Sequence, residues 1–67
     1  MTAAEAKQSL NGAVKYIDRQ KGIDGVYKLL AVIIRRNEKS EMYIQAEIRE
    51  LFGNNLYYVS LTDLEVI

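Results

Sequence analysis

The side chains that most often carry catalysis are missing from this chain of 67 residues, which has no His and no Cys. Histidine is the commonest general base, and cysteine is the most reactive nucleophile and a usual zinc ligand. The serines at 9, 40 and 60 have no neighbouring base to activate them. Nearby carboxylates such as Glu47 and Glu50 are typical of solvated strand edges. We therefore expect a protein that is not an enzyme and that uses no cofactor, metal or small-molecule substrate.

The charge of the chain is balanced, with 9 Lys plus Arg against 9 Asp plus Glu. Binding to nucleic acid through charge alone requires an excess of basic residues, because the affinity comes from counterion release. A local basic patch with tyrosines as stacking platforms is still an alternative to a protein-binding role. Its candidate residues are Lys15, Arg19, Lys21, Lys28, Arg35 and Arg36.

No segment of the sequence has the pattern of a targeting or membrane-spanning element. The first 20 residues lack the basic and apolar regions of a signal peptide. The longest apolar run, residues 29–34, has six residues, whereas a membrane span needs roughly 18. The absence of cysteine also suits a reducing compartment. We expect a cytoplasmic protein without membrane association.

The amino-terminal segment predicts a helix over residues 2–20. Thr2 and Glu5 have the spacing of a capping box, and Gly22 is placed to end the helix. Gly12 is its weak point, because glycine inside a helix costs about 1 kcal/mol relative to alanine. One helical stripe holds the apolar residues Ala3, Ala6, Leu10, Val14 and Ile17.

Three later segments predict strands at residues 26–36, 41–51 and 56–62. Residues 42–49 alternate apolar and polar side chains, although they could also form a helix, as could residues 26–36. The segment LYYVSL, residues 56–61, has no helical pattern. A strand must pair with another strand, so this segment favours the strand interpretation of the other two.

Two turns predict the register of these strands. A turn at residues 37–40 and a second at Gly53-Asn54 place the apolar residues of all three strands on one face. A slip of one residue would invert every side chain, so their agreement supports the register. The predicted pairs are Leu29 with Ile48, Ala31 with Ala46, Ile33 with Ile44, Ile48 with Val59 and Ala46 with Leu61. Met42 completes this inner face.

The predicted fold is therefore a single small α+β domain over residues 1–67. The amino-terminal helix packs on a three-stranded antiparallel β-meander, which is the usual two-layer solution. Residues 64–67 could add a short fourth strand after a turn at Thr62-Asp63. The run VSLTDLEVI, residues 59–67, resembles the closing strand, tight turn and last strand of SH3-like or Tudor-like small barrels. Those folds do not begin with a helix of the length predicted here.

The outer face of the predicted sheet is too apolar for a surface in contact with water. Five tyrosines, one Phe and no Trp also suit a surface that is sometimes covered. An exposed apolar patch usually marks an interaction surface, and so short a chain gains stability from association. We expect a non-catalytic protein-interaction module that forms a homodimer or binds another protein. Its predicted surface is Leu30, Val32, Ile34, Tyr43, Leu51, Leu56 and Tyr58.

Overall fold

A computed structural model describes all residues, 1–67. The chain forms one short α-helix, five strands and one turn of 3₁₀ helix. None of its helices has the length and apolar character that crossing a membrane requires. The elements are α1 (Ala3–Gln8), β1 (Ala13–Asp18), β2 (Ile23–Arg36), β3 (Met42–Glu50), β4 (Leu56–Ser60), the 3₁₀ helix (Leu61–Asp63) and β5 (Leu64–Val66).

The five strands form one antiparallel sheet in the order β4-β3-β2-β1-β5. The edge strands β4 and β5 are joined by only the three residues of the 3₁₀ helix. In a flat sheet these edges would lie about 19 Å apart. Three residues of 3₁₀ helix span only about 6 Å. The sheet must therefore curl into an open barrel, and its inner face encloses the core.

The predicted helix over residues 2–20 is wrong beyond its first turns. The helix ends at Gln8, and residues 13–18 form β1. Asn11 has a φ of 66°, a left-handed conformation that stops a helix. The Leu29 N–H then donates to the Gly12 carbonyl at 2.9 Å, which starts the pairing of β1 with β2. The alternation of buried and outward side chains in β1 outweighs the helical stripe.

The start of α1 confirms the capping box. The Thr2 hydroxyl accepts a hydrogen bond from the Glu5 N–H at 3.1 Å, and the Glu5 carboxylate accepts one from the Thr2 N–H at 2.8 Å. These bonds lower the pKa of Glu5. Ala6 is completely buried in the core. The amino group of Met1 donates to the Leu64 carbonyl at 3.0 Å, which ties α1 to β5.

Residues 26–36 form a strand, so the helical alternative for them is wrong. All three predicted strands are present with shifted bounds, and the α+β class with a mainly antiparallel sheet is confirmed. The sheet has five strands rather than three, however, because residues 13–18 form β1 instead of part of a long helix and residues 64–66 form β5. Strand β4 ends at Ser60, a 3₁₀ helix takes the place of the predicted turn at Thr62-Asp63, and Leu64–Val66 forms β5.

A β-bulge in β2 changes the predicted register with β3. Leu29 lies opposite Ile48 as predicted, but Val32 lies opposite Ala46, and the register shifts at Leu30. The extra residue moves every later side chain of β2 to the other face. The predicted pairs of Ala31 with Ala46 and of Ile33 with Ile44 are therefore wrong, and the residue opposite Ile44 is Ile34.

The pairing of β3 with β4 differs from the prediction by two residues. Ala46 lies opposite Val59, and Ile48 lies opposite Tyr57. An even shift leaves the inner face unchanged, so Val59 and Leu61 are buried as expected. Met42 lies beyond the core and is 69% exposed. The buried residues are Ala6, Val14, Tyr16, Leu29, Ala46, Ile48, Val59, Leu61 and Leu64.

Candidate functional site

The far end of the β2–β3 hairpin extends beyond the rest of the sheet. Strand β1 pairs only with residues 23–28 of β2, and β4 pairs only with residues 45–49 of β3. We call residues 30–44 the projecting hairpin. The molecule is correspondingly elongated, with principal extents of 36 × 27 × 20 Å. A two-stranded hairpin without further neighbours is only marginally stable in water.

Both faces of the projecting hairpin carry apolar side chains. On the inner face, Ile34 and Met42 are 68% and 69% exposed, and Ile44 is partly buried. On the outer face, Tyr43 is 42% exposed and Ile33 is partly buried. The inner-face residues continue the apolar surface of the core beyond the point where α1 and the other strands cover it.

The predicted interaction surface is divided between two faces and a turn. Leu30, Tyr43, Leu56 and Tyr58 lie on the outer face, whereas the bulge places Val32 and Ile34 on the inner face. Leu51 lies in the turn after β3. The outer face also carries charged side chains, so it is less apolar than predicted. These charged residues are Lys15, Asp24, Lys28, Arg35, Glu47, Arg49 and Glu65.

Hydrogen bonds to carboxylates hold two tyrosines of β4. The Tyr58 hydroxyl donates to Glu47 at 2.9 Å on the outer face, and the Tyr57 hydroxyl donates to Glu50 at 3.0 Å. These bonds raise the pKa of both phenols, because each hydroxyl donates only while it is protonated. Burial raises the pKa of Tyr16.

An ultraviolet titration of tyrosinate should resolve these tyrosines. We expect Tyr16, Tyr57 and Tyr58 to ionise above pH 10.0, the ordinary value. A pKa that is raised by folding favours the neutral phenol in the folded state. The stability it contributes is therefore complete below pH 10 and is lost as the pH rises through the folded-state pKa.

The variant Tyr58→Phe should remove one high-pH transition from this titration and leave the other two in place. Tyr43 has no such hydroxyl partner in the structure, so Tyr43→Phe is the matched control on the same face. Retention of all three high-pH transitions in Tyr58→Phe would contradict the assignment to the Glu47 bond.

The structure does not bring the six predicted basic residues together. Lys15, Lys28 and Arg35 lie on the outer face, Arg36 lies on the inner side, and Arg19 and Lys21 lie in or beside the β1–β2 turn. The Lys15 amino group pairs with the Asp24 carboxylate at 3.5 Å.

Sequence reasoning left Arg49 out of the basic patch, yet this residue lies directly opposite Lys28 on the outer face. Its Nε atom is buried and has no hydrogen-bond partner in the protein. Like charges directly opposite each other destabilise a sheet. Only the register of β2 with β3 reveals this pair, because residues 28 and 49 are distant in sequence.

A polar cavity of about 490 Å³ lies between the β1–β2 turn and the 3₁₀ helix. The Asp18 carboxylate at its wall accepts hydrogen bonds from the N–H groups of Gln20 and Lys21 at 3.1 and 3.2 Å, so it shapes the turn. No group of three or more acidic side chains has the geometry to hold a metal ion. The lining residues are Ile17, Asp18, Arg19, Gln20, Thr62, Asp63 and Glu65.

A more apolar groove of about 450 Å³ lies beside the β3–β4 turn and is lined by Val26, Tyr27, Leu51 and Phe52 among others. The Phe52 side chain is fully exposed at the tip of this turn.

Comparisons of the chain with family models, curated proteins and solved structures return no significant match. The inference of function therefore rests on the geometry of the exposed surfaces.

Proposed function

We propose that the protein is a non-catalytic protein-interaction module that self-associates through the projecting hairpin. One observation carries the proposal: Ile34 and Met42 are about two-thirds exposed on the inner face, at 68% and 69%. They lie where β2 and β3 extend beyond the residues that pair with β1 and β4. Contact with a second protein surface would remove these side chains from water, at about 25 cal/mol for each Å² of apolar surface.

Self-association also supplements a small core. Only 9 of the 67 residues are buried, and a domain of this size gains limited stability from its own core. A contact that covers the projecting hairpin would stabilise the part of the sheet that has the fewest neighbours. Tyr43, which lies on the outer face of the projecting hairpin, would extend the same contact.

The variant Ile34→Asp should separate the assembly into monomers. We expect the unmodified chain to have a mass near twice 7.7 kDa and the variant to have the mass of one chain, because burying a carboxylate in an apolar contact is costly. Light scattering after size exclusion, over a dilution series, measures this directly. Circular dichroism should show that the variant keeps its sheet, since Ile34 is mostly exposed within one chain.

The matched control is Leu56→Asp, which adds the same charge at a side chain that is 48% exposed on the outer face. We expect this variant to remain associated. Dissociation by Leu56→Asp but not by Ile34→Asp would move the contact to the outer face. A monomer at every concentration of the unmodified chain would overturn self-association.

A second candidate function is nucleic-acid binding by the outer face. The observation that favours it is the Lys28–Arg49 pair, two like charges held opposite each other near the exposed ring of Tyr58. A phosphate between them would relieve their repulsion, and an aromatic ring can stack on a base. Salt-dependent retention on immobilised single-stranded nucleic acid, lost in Arg49→Glu and kept in Arg19→Glu, would favour this function.

A further inference from the structure

Beyond Leu29, one edge of β2 has no strand beside it. On the side that faces β1, the last backbone hydrogen bonds join Leu29 to the start of β1. The Leu29 N–H donates to the Gly12 carbonyl at 2.9 Å, and the Asn11 N–H donates to the Leu29 carbonyl at 2.8 Å. Beyond this point β2 continues to Arg36, and its only neighbouring strand is β3 on the other side.

The alternation of an antiparallel ladder identifies the backbone groups at this free edge. At the hairpin end, the Asn37 N–H donates to the Glu41 carbonyl at 3.0 Å, so residue 37 points toward β3. Every second residue of a strand points the same way. The N–H and C=O groups of Val32, Ile34 and Arg36 therefore point away from β3. Such a row of unpaired groups is a template for another strand.

We propose that the free edge of β2 pairs with the same edge of a second copy of this chain. The two strands run antiparallel and are centred on Ile34, so that each Ile34 lies opposite the other. Val32 of each copy then lies opposite Arg36 of the other. The five strands of each copy join into one continuous sheet. This inference rests on the proposed self-association and specifies its geometry.

The number of unpaired backbone N–H and C=O groups at the free edge favours one centre for this pairing. A centre at Ile34 uses all three outward-pointing residues of each copy. A centre at Ile33 would place Arg36 opposite Leu30, which lies in the bulge. A centre at Ala31 or Val32 would extend the pairing to residues whose edge already bonds Gly12 and Asn11.

The positions of the arginines also favour a pairing centred on Ile34. Centred on Ile34, the pairing places Arg35 opposite Ile33 of the second copy and Arg36 opposite Val32. Centres at Arg35 or Arg36 would set like charges directly against each other, which destabilises a sheet. The strand is thus self-complementary in this register. A second copy satisfies the edge without any other partner sequence.

The same register explains the exposed inner face. The two Ile34 side chains become direct neighbours, and Ile44 lies beside each of them on β3. Met42 flanks this cluster in each copy. The apolar residues of two projecting hairpins would therefore form one strip across the joined sheet. Backbone pairing and apolar burial support the same contact, as in strand addition at the edges of other sheets.

Disulfide formation tests the register, because the chain has no cysteine of its own. In Ile34→Cys the two introduced thiols occupy a directly opposed, hydrogen-bonded pair with Cα atoms about 5.5 Å apart, within the range of a disulfide. We expect mild oxidation to convert most of this variant into a covalent dimer on non-reducing gels. Ile33→Cys and Ile44→Cys are the matched controls and should remain mostly uncrosslinked.

The outcomes separate this inference from the proposed function. A noncovalent dimer whose Ile34→Cys variant crosslinks supports both. A dimer in which Ile33→Cys crosslinks instead, or in which no β2 position does, overturns the edge pairing and leaves self-association standing. A chain that is monomeric by light scattering and uncrosslinked overturns both.

Proline substitution provides a second test if the cysteine variant folds poorly. The same alternation directs the Ile34 N–H away from β3, so Ile34→Pro should keep its own hairpin and lose the dimer. Ile33→Pro removes an N–H that points toward β3 and should disrupt the hairpin itself. A dimer of unchanged mass in Ile34→Pro would contradict the pairing.

Discussion

Leu29→Ala is expected to lower the free energy of unfolding by about 2–5 kcal/mol, the usual range for a leucine that is removed from a packed core. Leu29 is completely buried, and it lies where β2 pairs with β3 on one side and meets the start of β1 on the other. A chain of this size has a total stability of roughly 3–10 kcal/mol. The loss is therefore a large fraction of the total stability, and the urea midpoint of the variant should fall well below that of the unmodified chain.

Urea unfolding followed by circular dichroism measures this loss. Both proteins must be compared at one concentration, because association with a second copy adds to apparent stability. The control is Leu56→Ala, which removes the same atoms from a side chain that is 48% exposed, and we expect a loss below about 1 kcal/mol. Equal losses in the two variants would show that Leu29 does not lie in the core.

Ala6→Asp should be the second severe substitution. Ala6 is the residue through which α1 enters the core, and it has no exposed surface. A carboxylate there would be buried without a partner, or the helix would have to leave the core. A free helix of six residues is not stable in water. We expect the thermal midpoint to fall by more than 15 °C, on the scale of about 4–8 °C per kcal/mol.

The control for this substitution is Ala4→Asp, two residues away on the exposed side of the same helix. An acidic residue in the first turn interacts favourably with the helix dipole, so the thermal midpoint should stay within a few degrees. If Ala6→Asp melts like the unmodified chain, α1 does not contribute to the core as its burial indicates.

The features that could be predicted from the sequence are those with a strong local cause. Thr2 and Glu5 start α1 through a capping box that needs no other part of the chain. The alternation of residues 42–49 fixed the faces of β3, and Ala46 and Ile48 are buried as this alternation required. Leu29 lies opposite Ile48 as predicted because two differences offset each other: the turn is one residue longer than residues 37–40, so that Arg36 lies opposite Met42, and β2 has one extra residue at the bulge.

The failures have local causes that the residue pattern does not reveal. A helical stripe and a strand alternation both pass through Val14, and the left-handed conformation of Asn11 decides between them. The bulge at Leu30 lies in a run of six apolar residues, 29–34, where neither face is marked by polar side chains. A shift of one residue in this run still places apolar side chains on both faces, so the sequence pattern does not reveal it, although it reverses the faces of Val32 and Ile34.

The candidate site could be predicted only in its composition. The apolar run of β2 predicted an exposed apolar patch, and Ile34 in this run is 68% exposed. The free edge could not be predicted, because it depends on where β1 stops pairing with a strand more than twice its length. The Lys28–Arg49 pair, in contrast, follows from the predicted pairing of Leu29 with Ile48, because it is the next pair along the same ladder.

The bulge at Leu30 also gives β2 a tolerance to the loss of a residue. If one residue between 30 and 36 were deleted, the strand could close the bulge and restore an unbroken ladder with β3. Residues on either side of the affected stretch would keep their partners, and only those between Leu30 and the deletion would change face. A regular strand has no unpaired extra residue that could compensate for a deletion. The loss of one residue from this stretch therefore leaves the register of both the hairpin turn and the core unchanged.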